Sequence, residues 1–428
     1  MDTNGSKTPA PLPLAAWQAL SPGDAAREIH RRVAALPGKL RAAALAHLRS
    51  EAEIAGDLAA APAGAPLRGV PYLLKDLFDA AGLPTLAGST FLTRVRPTPG
   101  DSAVVKLLRE RGAALAGKTH MVEFASGLTG ENPHYGDCPH PRFPDRLAGG
   151  SSSGSASLVA AGVTPLAIGT DTGGSVRIPA AFCGLFGFRL TPGDDLIRDA
   201  FPLSQTMDTA GWFTASAVDL RTVLRAIVGT PDTAARELRG CYIPGHALLP
   251  GMNPEVDAAC EAVARNWSAP ADEATRATLL EAWKDSVDAY LVIGMSEAHA
   301  VHRDWLAPYH EHYDPVIWQR FTDAGRLPPE KIAAARATLA TVRASWREFF
   351  KAYDFLALPC APFPALRKAE CTPAARQAII RLTAPASLGG LPCLTIPVPL
   401  PSGLTAGVQV ILPSATAPAV EWILRQCA

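Results

Sequence analysis

The chain has 428 residues, enough to bury a large core, and 48% of them are hydrophobic, an ordinary share for a globular protein. Lys+Arg and Asp+Glu number 40 each, so the formal net charge is zero and gives no general attraction for nucleic acid or acidic membrane. No run of about 20 apolar residues offers a membrane span, and the start MDTNGSKTPAPLPLAAW lacks the basic and apolar regions of a secretory signal.

Residues 1–20 are polar and Pro-rich and read as a flexible N-terminal arm; residues 21–428 show no internal repeat and read as a single domain. Residues 22–60 carry helical spacing for two or three helices around the Pro37-Gly38 break. Gly69 to Leu74 reads as a short strand ending at Lys75. Asp101 is placed to cap a helix running to about Arg111, with Val104, Leu107 and Leu108 on one face. Ala113 to Ala116 reads as a strand, and 127–149 as a long irregular loop. A helix at 153–161, a strand at 163–169, a glycine turn and a helix near 176–183 follow. This alternation predicts an α/β layered fold.

The stretch of about 195–330 is more individual, and His302 to Trp318 is rich in His and aromatics without an assignable role. The helix predicted over 329–351 carries the stripe Ile332, Ala335, Leu339, Val342, Trp346 and Phe349, so Trp346 is expected in the core. Late strands are read at Asp354–Pro359, Leu391–Pro397 and Gly407–Leu412. The eight cysteines are dispersed without a C-x-x-C pair, which favours buried reduced thiols in a cytoplasmic protein over zinc or thioredoxin-type chemistry.

Two motif matches fail on context. Gly112 to Thr119 fits the phosphate-loop pattern G-x-x-x-x-G-K-[ST], but it follows a helix and has an apolar interior, AALA. Gly150 to Gly154 fits G-x-S-x-G around Ser152, but the residues before it, PRFPDRLA, make a poor strand. Lys75 ends the apolar run GVPYLL, and such a lysine either snorkels to solvent or, if buried, loses its proton. A neutral amine beside a hydroxyl is a competent base.

The segments GVPYLLKDLFDAAGLPTLAGS (69–89), GKTHMVEFASG (117–127), GGSSSGSASLVAAG (149–162) and GTDTGGSVRIPAAFCGLFGF (169–188) resemble the amidase signature family, and weaker similarity covers most of the chain from about residue 60. The resemblance implies a central twisted mixed β-sheet with helices on both faces. It also implies hydrolysis of the C–N bond of a small linear amide, urea or carbamate. Carried over, Ser175 is the nucleophile, Ser151 the proton relay behind a cis peptide bond, and Lys75 the base. Backbone N–H groups of Thr172, Gly173, Gly174 and Ser175 form the oxyanion hole.

Asp171 and Arg177 are expected to pair and hold the nucleophile turn. Ser126 and Gly127 align with a segment beside the substrate carbonyl, and Ser152 and Ser153 with the cap of the following helix. No metal or cofactor is required, and a homodimer is compatible with the resemblance. The substrate pocket is expected from loop 127–149 and the 195–330 stretch, with His134, Tyr135, Trp212, Trp305 and Tyr313 as candidates. A glutaminase-type amidotransferase subunit is the competing function. Ser153, Trp212 and Ser387 stand where Gly, Pro and Asn are common in the family the chain resembles, and these departures argue against it.

Overall fold

Residues 9–97, 100–229 and 237–427 are described by the computed structural model. Among them, eleven strands form one sheet: β1 Leu45–Leu48, β2 Pro71–Lys75, β3 Ala114–Thr119, β4 Leu166–Thr170, β5 Phe186–Arg189, β6 Ala210–Thr214, β7 Gly240–Tyr242, β8 Ala269–Pro270, β9 Phe355–Pro359, β10 Cys393–Pro399 and β11 Thr405–Ile411. Their order is β1-β3-β2-β4-β6-β5-β10-β11-β9-β7-β8. The sheet is mixed: β2 runs parallel to β3 and β4, whereas β4, β6, β5, β10, β11 and β9 pair antiparallel in succession.

Successive side chains of a strand point to opposite faces. Tyr72 and Leu74 of β2, Ile168 of β4 and Trp212 of β6 enter one hydrophobic cluster. Leu73, Ala167 and Phe213 of the same strands enter a second. Both faces are therefore covered, and the central strands read as nearly unbroken apolar runs. The Ser153–Ala160 helix packs into the second cluster through Ala156, Leu158 and Val159. The Ser286–His302, Pro329–Ala352 and Pro373–Gly389 helices pack into the first through Ile293, Trp346 and Leu382, among others. Trp346 is buried as its stripe predicts, and its Nε1 donates to Pro385 O at 2.9 Å.

Several local expectations change. Within 1–20, residues 1–8 lie outside the described residues. Leu14–Gln18 is not a loose arm but a docked helix: Trp17 is fully buried, and Leu14 N donates to Asp219 Oδ1 at 3.0 Å. Asp101 does not cap the Ala103–Glu110 helix; Ser102 holds that position. Asp101 Oδ1 instead accepts from Ala81 N at 2.8 Å, and its other oxygen pairs with Arg109. The phosphate-loop pattern is strand β3, whose Lys118 is buried 2.5 Å from Asp76. All eight cysteines are free and six are buried. Among the described residues, no helix is long and apolar enough to cross a membrane.

Candidate active site

Strands β2 and β4 are parallel neighbours, so their C-terminal residues Lys75 and Thr170 come out on the same edge of the sheet. Lys75 is fully buried, with Nζ 2.7 Å from Ser151 Oγ and 2.8 Å from Thr170 Oγ1. Burial pushes its pKa from 10.5 down to about 7, against the opposing pull of the Asp208 and Asp171 charges.

Ser151 follows a cis Gly150–Ser151 peptide, and its carbonyl accepts from Val122 N at 3.1 Å. Ser152 and Ser153 make no side-chain capping bond to the helix they open. Ser152 Oγ instead turns to strand β4, donating to Thr170 O at 3.1 Å and accepting from Thr170 N at 3.3 Å. No strand leads into Ser152, so the nucleophile-elbow pattern has no structural counterpart.

The turn 171–175 is pinned from within by Asp171. Its carboxylate accepts from Gly174 N at 2.8 Å, Val176 N at 3.1 Å and Arg177 N at 3.2 Å. The expected partner Arg177 meets it at 2.9 Å, and a second guanidinium, Arg189, at 3.0 Å. Burial alone would raise the Asp171 pKa, but the two arginines outweigh it and hold the carboxyl well below the usual range. Ser387 Oγ accepts from both arginines, at 2.8 Å and 3.1 Å.

This arrangement corrects one expectation: the Gly174 N–H is spent on Asp171 and cannot face a substrate. Among the described residues, the N–H groups of Thr172, Gly173 and Ser175 have no hydrogen-bond acceptor. Thr172 is held by its side chain, which donates to Asp208 Oδ1 at 2.5 Å. Gly173 is boxed in: its carbonyl accepts from Thr383 Oγ1 at 2.6 Å, and an added Cβ would lie 2.1 Å from Tyr290 Oη.

Ser175 lines a cavity of about 560 Å³, the size of a small-molecule site. Its apolar wall includes Leu128, Leu203, Val292, Met295 and Ile380. Ser126 and Gly127, which the resemblance aligns with a segment beside the substrate carbonyl, line it too. They follow two non-glycine residues in the left-handed region, Phe124 at φ 47° and Ala125 at φ 58°. Arg320 fixes this segment by donating to Ser126 O at 3.0 Å. Among the described residues no hydrogen bond joins Ser151 to Ser175; Ser152 N donates to Ser175 O at 3.4 Å.

The five aromatic and histidine candidates do not line this cavity. His134 Nε2 sits 2.9 Å from Glu123 Oε1, and Tyr135 donates to Ser89 O at 2.8 Å. Trp212 stacks on Phe188 within the sheet core. Trp305 stacks on Phe201, and Tyr313 Oη lies 2.8 Å from His302 Nδ1. The aromatic run therefore builds a core wall around Phe91, Phe124 and Phe201. Arg189, Asp208 and Tyr290 belong to the site but lie outside the segments that carry the resemblance, and Thr170 lies inside one of them without a pattern of its own. Among the described residues, no cluster of His, Cys, Asp and Glu is arranged to hold a metal ion.

The family model described as Amidase matches residues 24–416. AtzE, a component of the 1-carboxybiuret hydrolase of Pseudomonas sp. (strain ADP), is 31% identical over 371 residues, 81% of this chain and 80% of that protein. A glutamyl-tRNA(Gln) amidotransferase subunit from Chloroflexus aggregans is 30% identical over 420 residues, 86% of this chain and 85% of that protein. A crystal structure described as an amidase superposes with a TM-score of 0.85 at 29% identity, covering 97% of this chain and all of that one. The buried Lys75–Ser151 contact, the glycine turn at Ser175 and the match over nearly the whole chain lead to one assignment: the chain belongs to the amidase signature family and is an amidohydrolase acting on carbon–nitrogen bonds.

Proposed function

We propose that the protein hydrolyses small linear amides, or related ureas or carbamates, through an acyl-enzyme on Ser175. One observation carries the reading. A buried lysine with its pKa near 7 touches Ser151, and the next residue, Ser152, reaches through its N–H to the pocket-lining Ser175, whose own N–H and that of Gly173 have no acceptor among the described residues.

Neutral Lys75 takes the Ser151 proton, and Ser151 takes the Ser175 proton as Ser175 Oγ attacks the carbonyl. The developing oxyanion is held by the free N–H groups of Gly173 and Ser175, with Thr172 beside them. One such donor typically contributes about 3 kcal/mol to the transition state. The proton then returns through Ser151 to the leaving nitrogen, and water releases the acid by the reverse relay. The Ser151–Ser175 hydrogen bond is the contact that substrate must close, and catalytic hydrogen bonds commonly tighten only in the substrate complex. None of these steps uses a histidine.

The test is a pair of variants. Ser175→Ala abolishes amide hydrolysis, whereas Ser152→Ala retains most of it because its hydroxyl serves only the strand. Full activity in Ser175→Ala overturns the reading.

The likeness to an amidotransferase component favours a second reading, in which this site releases ammonia for a partner protein. Glutaminase activity that depends on co-purifying partners would support it. Ser387, one of the departures from that type of protein, accepts from both arginines behind the nucleophile turn and leaves the Asp171 network intact.

A further inference from the structure

The cavity at Ser175 is largely apolar, yet two half-buried guanidinium groups, Arg320 and Arg376, line its wall. Asp288, Asp323 and Lys331 also border it, but all three are exposed at the rim. Arg320 spends one N–H on Ser126 O. Arg376 spends none: among the described residues its side chain makes no hydrogen bond or ion pair, and its Nε is sealed from solvent without an acceptor.

Nearby acids are engaged elsewhere. Glu131 accepts from Thr129 Oγ1 and pairs with Lys368 at 3.3 Å, and Asp314 caps its helix by accepting from Val316 N at 2.7 Å. A buried charged donor without an acceptor is costly to maintain, and guanidinium geometry matches a carboxylate in bidentate fashion.

Both arginines also border a smaller adjoining cavity of about 190 Å³ that shares Ser126 and Gly127 with the main one. The unsatisfied donors therefore sit where the two cavities meet, beside the segment expected to flank the scissile carbonyl. Glu131, Asp137 and Asp314 line this smaller cavity with Arg376, and their repulsion is stronger for a doubly charged anion such as phosphate than for a carboxylate.

We propose that the substrate is an amide that also carries a carboxylate, and that Arg376, assisted by Arg320, binds that carboxylate. This rests on the reading of the Ser175 cavity as the substrate site. The apolar wall then packs the stretch between carboxylate and amide.

The experiment measures binding in the Ser175→Ala background, so that it does not depend on turnover. Calorimetry compares glutaramate, adipamate and pimelamate with the uncharged pentanamide, hexanamide and heptanamide. At least one monoamide is expected to bind about tenfold or more tighter than its uncharged partner, as a charge-assisted pair allows. Adding Arg376→Gln should bring that ratio close to one, and Arg376→Lys should keep part of it. Equal binding of charged and uncharged members throughout, or an equal loss on both in Arg376→Gln, overturns the proposal. The parent enzyme separates the two readings. Hydrolysis of hexanamide that survives Ser175→Ala sinks the site assignment, whereas loss of hydrolysis without carboxylate preference sinks only the Arg376 inference.

Discussion

Lys75 titrates where it can be observed. Its ordinary pKa of 10.5 falls to about 7 because Nζ is buried with two hydroxyls and, among the described residues, no carboxylate in contact. If the neutral amine is the base, its fraction sets the rate. That fraction is about a tenth at pH 6, a half at pH 7 and nine-tenths at pH 8.

Ammonia release from a simple primary amide should therefore show kcat/KM rising about tenfold from pH 6 to 8 and then levelling. A lysine at its ordinary pKa would instead give about a hundredfold over the same interval and a continued rise toward pH 10. Below pH 6 the curve should steepen. Burial lifts the Asp208 pKa to about 6, and its protonation weakens the grip on Thr172 in the nucleophile turn. Thr170→Val removes one of the two hydroxyls that solvate the ammonium, so the rising limb should move to lower pH. A profile that climbs without a plateau to pH 10, or one unchanged in Lys75→Ala, would refute the assignment of Lys75 as base.

Three further outcomes follow from the same geometry. Between pH 7 and 10.5 the unfolded chain holds a proton on Lys75 that the native chain lacks, so stability from this group rises with pH across that window. Urea unfolding at pH 7 and pH 9 should show that slope, at most about 1.4 kcal/mol per pH unit, and Lys75→Met should lack it. Asp171→Asn leaves Arg177 and Arg189 buried without their counter-charge and should cost about 3–5 kcal/mol in denaturant unfolding. Gly173→Ala drives a methyl into Tyr290 Oη and should abolish hydrolysis; near-normal kcat would show that the turn can move aside.

The parts of the site that share a short stretch of chain are legible in the sequence. Ser151, Asp171, Arg177 and Ser175 fall within one glycine- and serine-rich segment, and Lys75 ends a strand whose apolar run is plain. The oxyanion donors are only partly legible: nothing in Thr-Gly-Gly-Ser says that Asp171 will claim the Gly174 amide. Residues that reach the site from elsewhere are hidden. Arg189 ends β5, a four-residue strand too short for a periodic signal, and Tyr290 rides on a helix more than a hundred residues away. Trp212 and the 302–318 aromatics look like pocket residues because large rings serve pockets and cores equally well. Only packing shows that they line a core wall. The docked Leu14–Gln18 helix escapes prediction for a similar reason, since Trp17 is one apolar anchor in a Pro-rich segment.

The central claim is that the chemistry runs through Ser175 and not through the serine that the commoner motif would choose. Acid-quenching the enzyme during turnover of an amide, followed by digestion and mass spectrometry, tests it directly. The predicted result is an acyl adduct on Ser175, with the peptide carrying Ser151, Ser152 and Ser153 unmodified. An adduct on Ser152 would contradict the account.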